Sequence, residues 1–277
     1  MFDNFLFLAP PITTCILMAG ILGYFGNHIL SRGIIFIDIA VAQIAALGTM
    51  IGLLIGFSEG SIYVQIVSYV FTLALISVFA LTKFKKQLIP QEAIIGILYC
   101  LSLGVALFFA DRIPGGSNYI TKTITGNILW VTWRQVFSLL IIFLLIGVIH
   151  IPIRKFIIKI SDSTAEFSYV KVRIFELLFY ITFGIVIVKS VPIAGIFLVF
   201  ILLIAPAASA ALFCTEWKNK FIMSWIIGIT GSIIGMYLSY FLNISNGPAI
   251  VCVLGIIFFI LAITKFITGR VPENKNI

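Results

Sequence analysis

The sequence predicts an all-α, polytopic membrane protein with about nine transmembrane helices. Hydrophobic residues make up 61% of the 277 positions and charged residues only 10%, whereas a soluble domain has roughly 45–50% and about 25%. The charges also fall in short clusters, and the uncharged runs between them are about as long as a bilayer is thick. This pattern excludes a soluble enzyme, a coiled coil and a disordered chain.

Nine runs have the length that a membrane helix needs, which is roughly 20 residues for a hydrocarbon core of about 30 Å. We call them uncharged runs, although the second contains Asp38 and the sixth contains Arg173 and Glu176. They are residues 5–26, 33–57, 62–82, 93–110, 136–153, 172–188, 191–214, 221–242 and 248–264. The sixth run is the weakest, because Glu176 interrupts it and Lys189 nearly adjoins the seventh. The first run is too long for a signal-peptide core, so we expect it to remain as a helix. Residues 1–277 then form a single transmembrane domain.

The basic residues predict the orientation, because Lys and Arg near span ends are held on the cytoplasmic side. With nine spans, 14 of the 18 basic residues fall on one side of the membrane. The other side holds Arg112, Lys122, Arg134 and Lys189. We therefore expect the N-terminus outside and the C-terminus inside, with lipid around the spans. Topology accounts for the net charge of +8, and no nucleic-acid partner is expected.

Two connections are longer than a turn. The outer one, residues 111–133, carries Trp130 and Trp133, aromatic residues typical of the membrane interface. The inner one, residues 154–173, contains Ser163 and Glu166 with capping-box spacing, which predicts a short helix running towards Lys171. Such a helix at the cytoplasmic surface could receive force from a partner, and a solvated linker is an equally open interpretation.

Small residues predict where the spans pack closely. Glycines recur at four-residue spacing in the second and eighth spans, at Gly48, Gly52, Gly56, Gly231 and Gly235. In the seventh span Pro206 removes one backbone hydrogen bond. A proline kink either lines a pathway with its freed carbonyl or is purely structural, and both interpretations stay open.

Asp38 is the only acid well inside a convincing span. An aspartate at mid-bilayer costs about 2.5 to 3.5 kcal/mol, so it must face protein or water. It either pairs with a residue of another helix or marks a cation pathway. Gln43 follows five positions later, roughly 140° round the helix. The other ionisable groups, His28, His150, Glu92 and Glu176, lie near span ends, where we expect them at the interface.

No catalytic motif is recognisable. The sequence has no HExxH, no phosphate loop of the GxxxxGK[ST] kind and no paired acidic motif. The four cysteines, at positions 15, 100, 214 and 252, lack CxxC spacing, and we expect them to be small buried hydrophobic residues. The chain is therefore not expected to be an enzyme. Any transport it performs must be driven by a separate subunit or by an ion gradient.

Several segments resemble one family of membrane proteins. Residues 32–48 read RGIIFIDIAVAQIAALG and resemble the second-helix signature of the permease subunits of zinc, manganese and iron ATP-binding-cassette importers. Similar segments recur at residues 93–99, 126–129, 195–208 and 239–250. They follow the family's order and together cover about residues 32–258.

The resemblance implies a type II importer-like permease in the bacterial plasma (inner) membrane. The expected partners are a second copy of the chain, cytoplasmic ATPase subunits that bind the ATP, and an extracytoplasmic metal-binding protein. The inner connection would then couple to the ATPase through Asp162, Ser163, Glu166 and Lys171. The chain itself would bind no cofactor, and its cargo would be a divalent metal ion.

The resemblance also implies a metal pathway along the second helix, where family members carry an aspartate and a histidine. The histidine position falls on Gln43, and the aspartate position falls on Ile39, directly after Asp38. Asp38 would contact the metal transiently, and the pathway residues are Asp38, Gln43 and Pro206. A glutamine is a poor zinc ligand, so the usual gate is altered. The coupling segment also departs from the family pattern, with Val170 where a glycine is expected.

Three other functions stay open. A permease for a metal chelate or siderophore shares the importer logic but needs a wider, aromatic-lined cavity. A gradient-driven ion carrier would work without an ATPase. A membrane enzyme is disfavoured, because no polar constellation lines up within the spans.

Overall fold

The computed structural model describes residues 2–58, 60–81, 89–113, 115–162, 164 and 167–269. These residues form ten α-helices and one short 3-10 helix, Ile128–Trp130, and no strand. The α-helices are α1 Phe2–Arg32, α2 Ile37–Leu54, α3 Ile62–Leu81, α4 Gln91–Ala110, α5 Gly116–Thr125, α6 Trp133–Ser161, α7 Tyr169–Ala194, α8 Ile196–Phe213, α9 Trp217–Leu242 and α10 Asn246–Thr268. Each of the nine uncharged runs coincides with one long helix. The all-α prediction is confirmed.

Among the described residues, eight helices are long and apolar enough to cross a membrane. The remaining long helix, α3, has a shorter apolar stretch, Ile62–Ser77. Its neighbours nevertheless show that it runs back along α2: the Ser68 hydroxyl donates to the Ala45 carbonyl (2.8 Å), and Val64 lies against Gly52 near the other end of α2. α3 therefore returns the chain from one end of α2 to the other, as a ninth crossing requires.

Helix α7 is longer than predicted. It continues through Glu176, Lys189 and Pro192 and ends before Gly195, whose φ of +80° only glycine adopts easily. Glu176 does not interrupt the helix, because its side chain is buried within the protein. The first residues of the predicted seventh span, 191–194, therefore belong to α7, and α8 begins at Ile196.

The helices group into two compact units. Unit 1 comprises Met1–Arg32, Thr125–Ile149 and Ile193–Ile277, and it contains α1, α8, α9 and α10. Unit 2 comprises Gly33–Ile124 and His150–Pro192, and it contains α2, α3, α4 and α5. The division passes through α6 after Ile149 and through α7 after Pro192.

In unit 1, α8 and α9 each pack on α1, on α10 and on each other. The indole of Trp225 donates to the Gly20 carbonyl (2.7 Å), and further along α1 the Asn27 amide donates to the Ser224 hydroxyl (2.8 Å). Residue numbers rise along α1 as they fall along α9, so the two helices are antiparallel. This is the arrangement expected when an odd and an even crossing meet.

Three glycines meet at one end of unit 1. Gly126 and Gly195 both have positive φ (+72° and +80°), and a Cβ on either would overlap the backbone of the other's segment. A Cβ on Gly247 would lie 2.9 Å from the Thr125 carbonyl oxygen. The Asn127 N–H also donates to the Ile193 carbonyl (3.1 Å). The segment before the 3-10 helix and the starts of α8 and α10 therefore share one end of unit 1, as alternating crossings require for α8 and α10.

In unit 2, α2 and α4 run parallel. Near the start of both helices, the Ile35 N–H donates to the Glu92 carboxylate (3.3 Å). Near their other ends, Met50 packs in a buried cluster with Ala106 and Ala110. For two successive membrane helices to run parallel, the chain must cross back between them, and α3 is the helix that does so.

Candidate functional site

Asp38 stands in the first turn of α2, one residue after the helix begins at Ile37. Its side chain is 2% exposed, and its carboxyl group accepts a hydrogen bond from the Ile39 N–H. The other oxygen, Oδ1, is buried and has no hydrogen-bond partner among the described residues. The sequence placed Asp38 well inside a span, and this was wrong, because α2 begins four residues later than the uncharged run. A carboxylate at a helix N-terminus is favoured by the helix dipole.

The structure gives the other predicted pathway residues different settings. Gln43 is also buried, 4% exposed, and lies further along α2 in unit 2. Pro206 belongs to unit 1, where it is buried within α8. Its ring lies 3.5 Å from the position of a Cβ on Gly228 of α9. Asp38 and Gln43 are therefore grouped on one helix, and Pro206 is a packing residue of the α8–α9 contact.

Next to Pro206 lies a polar junction, which we define as Asn27 of α1 and Ser224 of α9. The Asn27 amide nitrogen donates to the Gly23 carbonyl (2.7 Å) and to the Ser224 hydroxyl (2.8 Å). The Ser224 hydroxyl in turn donates to the Lys220 carbonyl (2.7 Å) and lies 3.3 Å from the Pro206 carbonyl. All donors of the polar junction are thus used.

The remaining ionisable residues near span ends are less exposed than predicted. His28 is buried and stacks on Trp217, with 4.6 Å between ring centroids. His150 is buried, and its Nε2 lies 2.9 Å from the Thr182 hydroxyl. Glu92 is partly buried and its carboxylate accepts the Ile35 N–H, so this carboxylate is not solvated by water alone. The prediction that these side chains lie exposed at the membrane interface was wrong, because neighbouring helices cover them. Spacing along the sequence does not reveal which helices are neighbours.

No group of three or more His, Cys, Asp or Glu residues is placed to hold a metal ion within the part of the chain that the structure describes. The expectation of buried cysteines holds for Cys15 but not for Cys100 and Cys252, which are exposed on the outer faces of α4 and α10. Among the described residues Asp38 is therefore not part of a cluster of metal-ligating side chains. A single carboxylate is a weak ligand set for a divalent cation.

The inner connection differs from the predicted helix. α6 continues to Ser161 and α7 begins at Tyr169, while Thr164, Phe167 and Ser168 are not helical. Phe167 instead folds back so that its ring lies 5.3 Å from that of Phe156 on α6. Of the predicted coupling residues, Asp162 and Lys171 are exposed, and Ser163 and Glu166 lie outside the described residues.

The outer connection contains a helix that the sequence did not predict. α5 spans only ten residues, many of them Ser, Thr or Asn, which are weak helix formers. It borders an open pocket, which Met50, Ile113, Asn118 and Lys122 help to line. Trp130, in the 3-10 helix that follows, is 69% exposed.

Four of the five predicted packing glycines face a neighbouring helix. A Cβ would lie 2.8 Å from Ser68 Cα at Gly48, 3.2 Å from Val64 Cα at Gly52 and 2.6 Å from Ile250 Cα at Gly235, and it would overlap Leu254 at Gly231. Gly56 does not pack: nothing lies within 4 Å of its Cβ position, and its φ is +102°. It is a turn residue, because α2 ends at Leu54.

Known proteins resemble the chain along nearly its whole length. The manganese transport system membrane protein MntC of Listeria innocua is 26% identical over 258 residues, covering 92% of this chain and 89% of that protein. The manganese import system permease protein ScaB of Streptococcus parasanguinis is 26% identical over 283 residues, covering 99% and 95%. The solved structure of PsaBC from Streptococcus pneumoniae in complex with Fab contains a chain with the same fold, with a TM-score of 0.75, 21% identity and coverage of 94% and 95%.

The family assignment rests on a separate match. The family described as the ABC 3 transport family matches residues 4–265, which include all nine long helices apart from a few residues at either end. The ordered segments and the shared fold agree with this match. The protein belongs to the ABC 3 transport family.

Proposed function

We propose that this chain is the membrane-spanning subunit of an ATP-driven importer for a divalent transition metal, with Mn²⁺ as its principal cargo over zinc and iron. Family membership and the manganese-named relatives support the class of cargo. The observation that carries the proposal is the buried Oδ1 atom of Asp38, which has no hydrogen-bond partner in the described part of the chain. An unpaired buried carboxylate oxygen is costly unless a ligand uses it.

The identity of the metal follows from the donors on α2. Asp38 and Gln43 offer oxygen atoms to a passing ion, and hard cations such as Mn²⁺ suit carboxylate, carbonyl and water ligands. Zinc prefers imidazole and thiolate, which neither side chain supplies. The replacement of the family's histidine by Gln43 therefore favours manganese over zinc.

ATP hydrolysis lies in a separate subunit, because this sequence carries no phosphate-binding loop. The ATPase contacts the inner connection, with exposed Asp162 and Lys171 at its ends and Ser163 and Glu166 between them. The extracytoplasmic metal-binding protein docks on the outer connection, where α5 and its pocket stand. Two copies of the chain enclose the pathway, which ATP binding opens outward and hydrolysis opens inward.

Asp38 draws the ion into the pathway without holding it. One carboxylate, with one amide oxygen further along α2, gives electrostatic attraction but few ligands, and the ion keeps most of its water. A tight site would slow release and lower the transport rate. Pro206 takes part only by shaping α8 against α9.

The test is uptake of radiolabelled Mn²⁺ by vesicles that contain the whole importer: this chain, its ATPase and its binding protein. Asp38→Asn keeps the shape of the side chain and removes its charge, and we expect uptake to fall at least about tenfold, equivalent to about 1.4 kcal/mol. Glu216→Gln is the matched control, since Glu216 is exposed before α9. Normal uptake by Asp38→Asn would remove Asp38 from the mechanism.

Two other functions predict different results. A chelate permease would transport a metal–siderophore complex and would be blocked by it more strongly than by free Mn²⁺. A gradient-driven carrier would transport Mn²⁺ in vesicles that contain this chain alone and no ATP. Uptake that needs ATP, and that free Mn²⁺ saturates, contradicts both.

A further inference from the structure

We infer that Glu92 is a positioning residue for Asp38: it holds the backbone turn that precedes α2 and so fixes where the Asp38 carboxylate stands. The inference rests on the proposed role of Asp38 in metal transport. It concerns a side chain that lies on α4, within unit 2 like Asp38 itself.

The N-cap residue of α2 supplies no capping side chain. The residue at the N-cap position is Phe36, which makes no capping hydrogen bond and is 49% exposed. Helix starts leave their first N–H groups without backbone partners, and a polar side chain normally supplies an acceptor. Glu92 of α4 instead holds the turn just before the N-cap, because its Oε1 atom accepts the Ile35 N–H (3.3 Å).

The short turn between α1 and α2 transmits this contact to Asp38. The Ile37 N–H donates to the Ile34 carbonyl (3.2 Å), and the Ala40 N–H donates to the Phe36 carbonyl (3.4 Å). These bonds join residues 34–40 into one piece of backbone, with Asp38 at its centre. A shift of Ile35 therefore shifts Asp38 as well.

Few hydrogen bonds of its own fix the position of the Asp38 carboxyl group. Its Oδ1 has no hydrogen-bond partner among the described residues, and its carboxyl is bonded to the N–H of its own helix. The opposite end of α2 is held separately, by Met50 packed with Ala106 and Ala110 of α4. Loss of the Glu92 contact should therefore release the start of α2 while the far end stays in place.

The chemistry of the contact separates positioning from metal ligation. A glutamine at position 92 keeps a carbonyl oxygen that can accept the Ile35 N–H, whereas a leucine cannot. If Glu92 served instead as a charged ligand of the metal, Glu92→Gln would also be harmful, because an amide oxygen carries no charge. Gln91, the preceding residue on α4, provides a matched control position.

The experiment uses the whole importer in vesicles and measures two rates, Mn²⁺ uptake and ATP hydrolysis stimulated by the loaded binding protein. The variants are Glu92→Leu, Glu92→Gln and Gln91→Leu, each compared at equal amounts of folded complex. We expect Glu92→Leu to lower the number of Mn²⁺ ions moved per ATP at least about threefold. We expect Glu92→Gln and Gln91→Leu to keep that ratio.

A purely structural defect in Glu92→Leu would lower both rates in proportion, leave the ratio unchanged and overturn the inference. Equal damage by Glu92→Gln would also overturn it, in favour of metal ligation. Failure of the proposed function itself gives a different pattern: the unmodified importer moves no Mn²⁺, or Asp38→Asn moves it normally. The two failures are thus distinguishable.

Discussion

The polar junction in unit 1 and the first turn of α2 in unit 2 both bury polar side chains, and they differ in how these are paired. Asn27 uses both amide hydrogens, and Ser224 accepts one of them and donates its own. Asp38 keeps one carboxylate oxygen without a partner. A paired group stabilises by about 0.5 to 1.5 kcal/mol, whereas an unpaired one costs about 1 to 3 kcal/mol. Asn27 and Ser224 therefore stabilise the α1–α9 contact, whereas Asp38 has an oxygen left for a ligand.

The largest expected effect is the loss of folded protein on substitution of Gly195, whose role is structural like that of the polar junction. Gly195→Ala places a Cβ against the backbone of Gly126 and forces an L-residue to a φ of +80°, and the conformation alone costs about 1–2 kcal/mol. We expect little folded protein, as measured by size-exclusion chromatography and thermal unfolding in detergent. Gly147→Ala, in open space on α6, should fold normally. A normal melting temperature for Gly195→Ala would show that the meeting of the three glycines is dispensable.

Gly48→Ala tests close packing inside unit 2. Its Cβ would lie 2.8 Å from Ser68 Cα, a backbone atom that cannot swing aside, so we expect a loss of about 1–3 kcal/mol in unfolding free energy. The measurement is the melting temperature beside that of Gly104→Ala, where nothing lies within 4 Å. Equal stability of the two variants would contradict the close α2–α3 contact.

The variants Asn27→Leu and Asp38→Leu compare the polar junction with the first turn of α2. Asn27→Leu removes a paired amide and should lower the unfolding free energy by about 1–3 kcal/mol. Asp38→Leu removes an unpaired buried oxygen, so we expect an unchanged or higher melting temperature together with lost Mn²⁺ uptake. A drop in stability as large as that of Asn27→Leu would make Asp38 an architectural residue.

The smallest expected effect concerns Cys214, which lies between α8 and α9 outside the spans. Partial burial raises the pKa of the Cys214 thiol above its usual value, and the nearby Lys220 ammonium opposes this only in part. Less thiolate is then present at neutral pH, so alkylation by a hydrophilic maleimide should be slower than for a free thiol and should accelerate as the pH rises.

The Cys214 measurement also tests the orientation. In a variant whose only cysteine is Cys214, labelling should occur from the cytoplasmic side, where the distribution of Lys and Arg places this connection. Labelling of intact cells by an impermeant reagent would contradict the predicted orientation. Labelling at the rate of a free thiol would contradict the raised pKa.

The sequence predicts the helices well, because length and charge decide what can sit in a bilayer. Every long helix coincides with an uncharged run, including the one that Glu176 interrupts. The short α5 escaped prediction because its composition is polar and its helix depends on local contacts, such as that of Gly116 with Ala110. Gly56 shares the spacing of packing glycines, but spacing does not reveal that the helix has already ended.

The candidate site was only partly predictable. Asp38 stood out because an acid in an apolar run is rare, and the structure adds that one of its oxygens is unpaired. Glu92 gave no comparable signal, since an acid at a span end usually reaches water, and its bond to Ile35 joins residues 57 positions apart. Gly126, Gly195 and Gly247 were visible as parts of separate motifs, and only the fold shows that they meet.

The meeting of these three glycines has a consequence for motion. Backbone touches backbone there, and no flexible side chain lies between the segments to absorb a displacement. We therefore expect the segment around Gly126 and the starts of α8 and α10 to move together. An epitope or fluorescent reporter inserted at residues 125–127 or 194–196 would disrupt this contact and so prevent the joint movement.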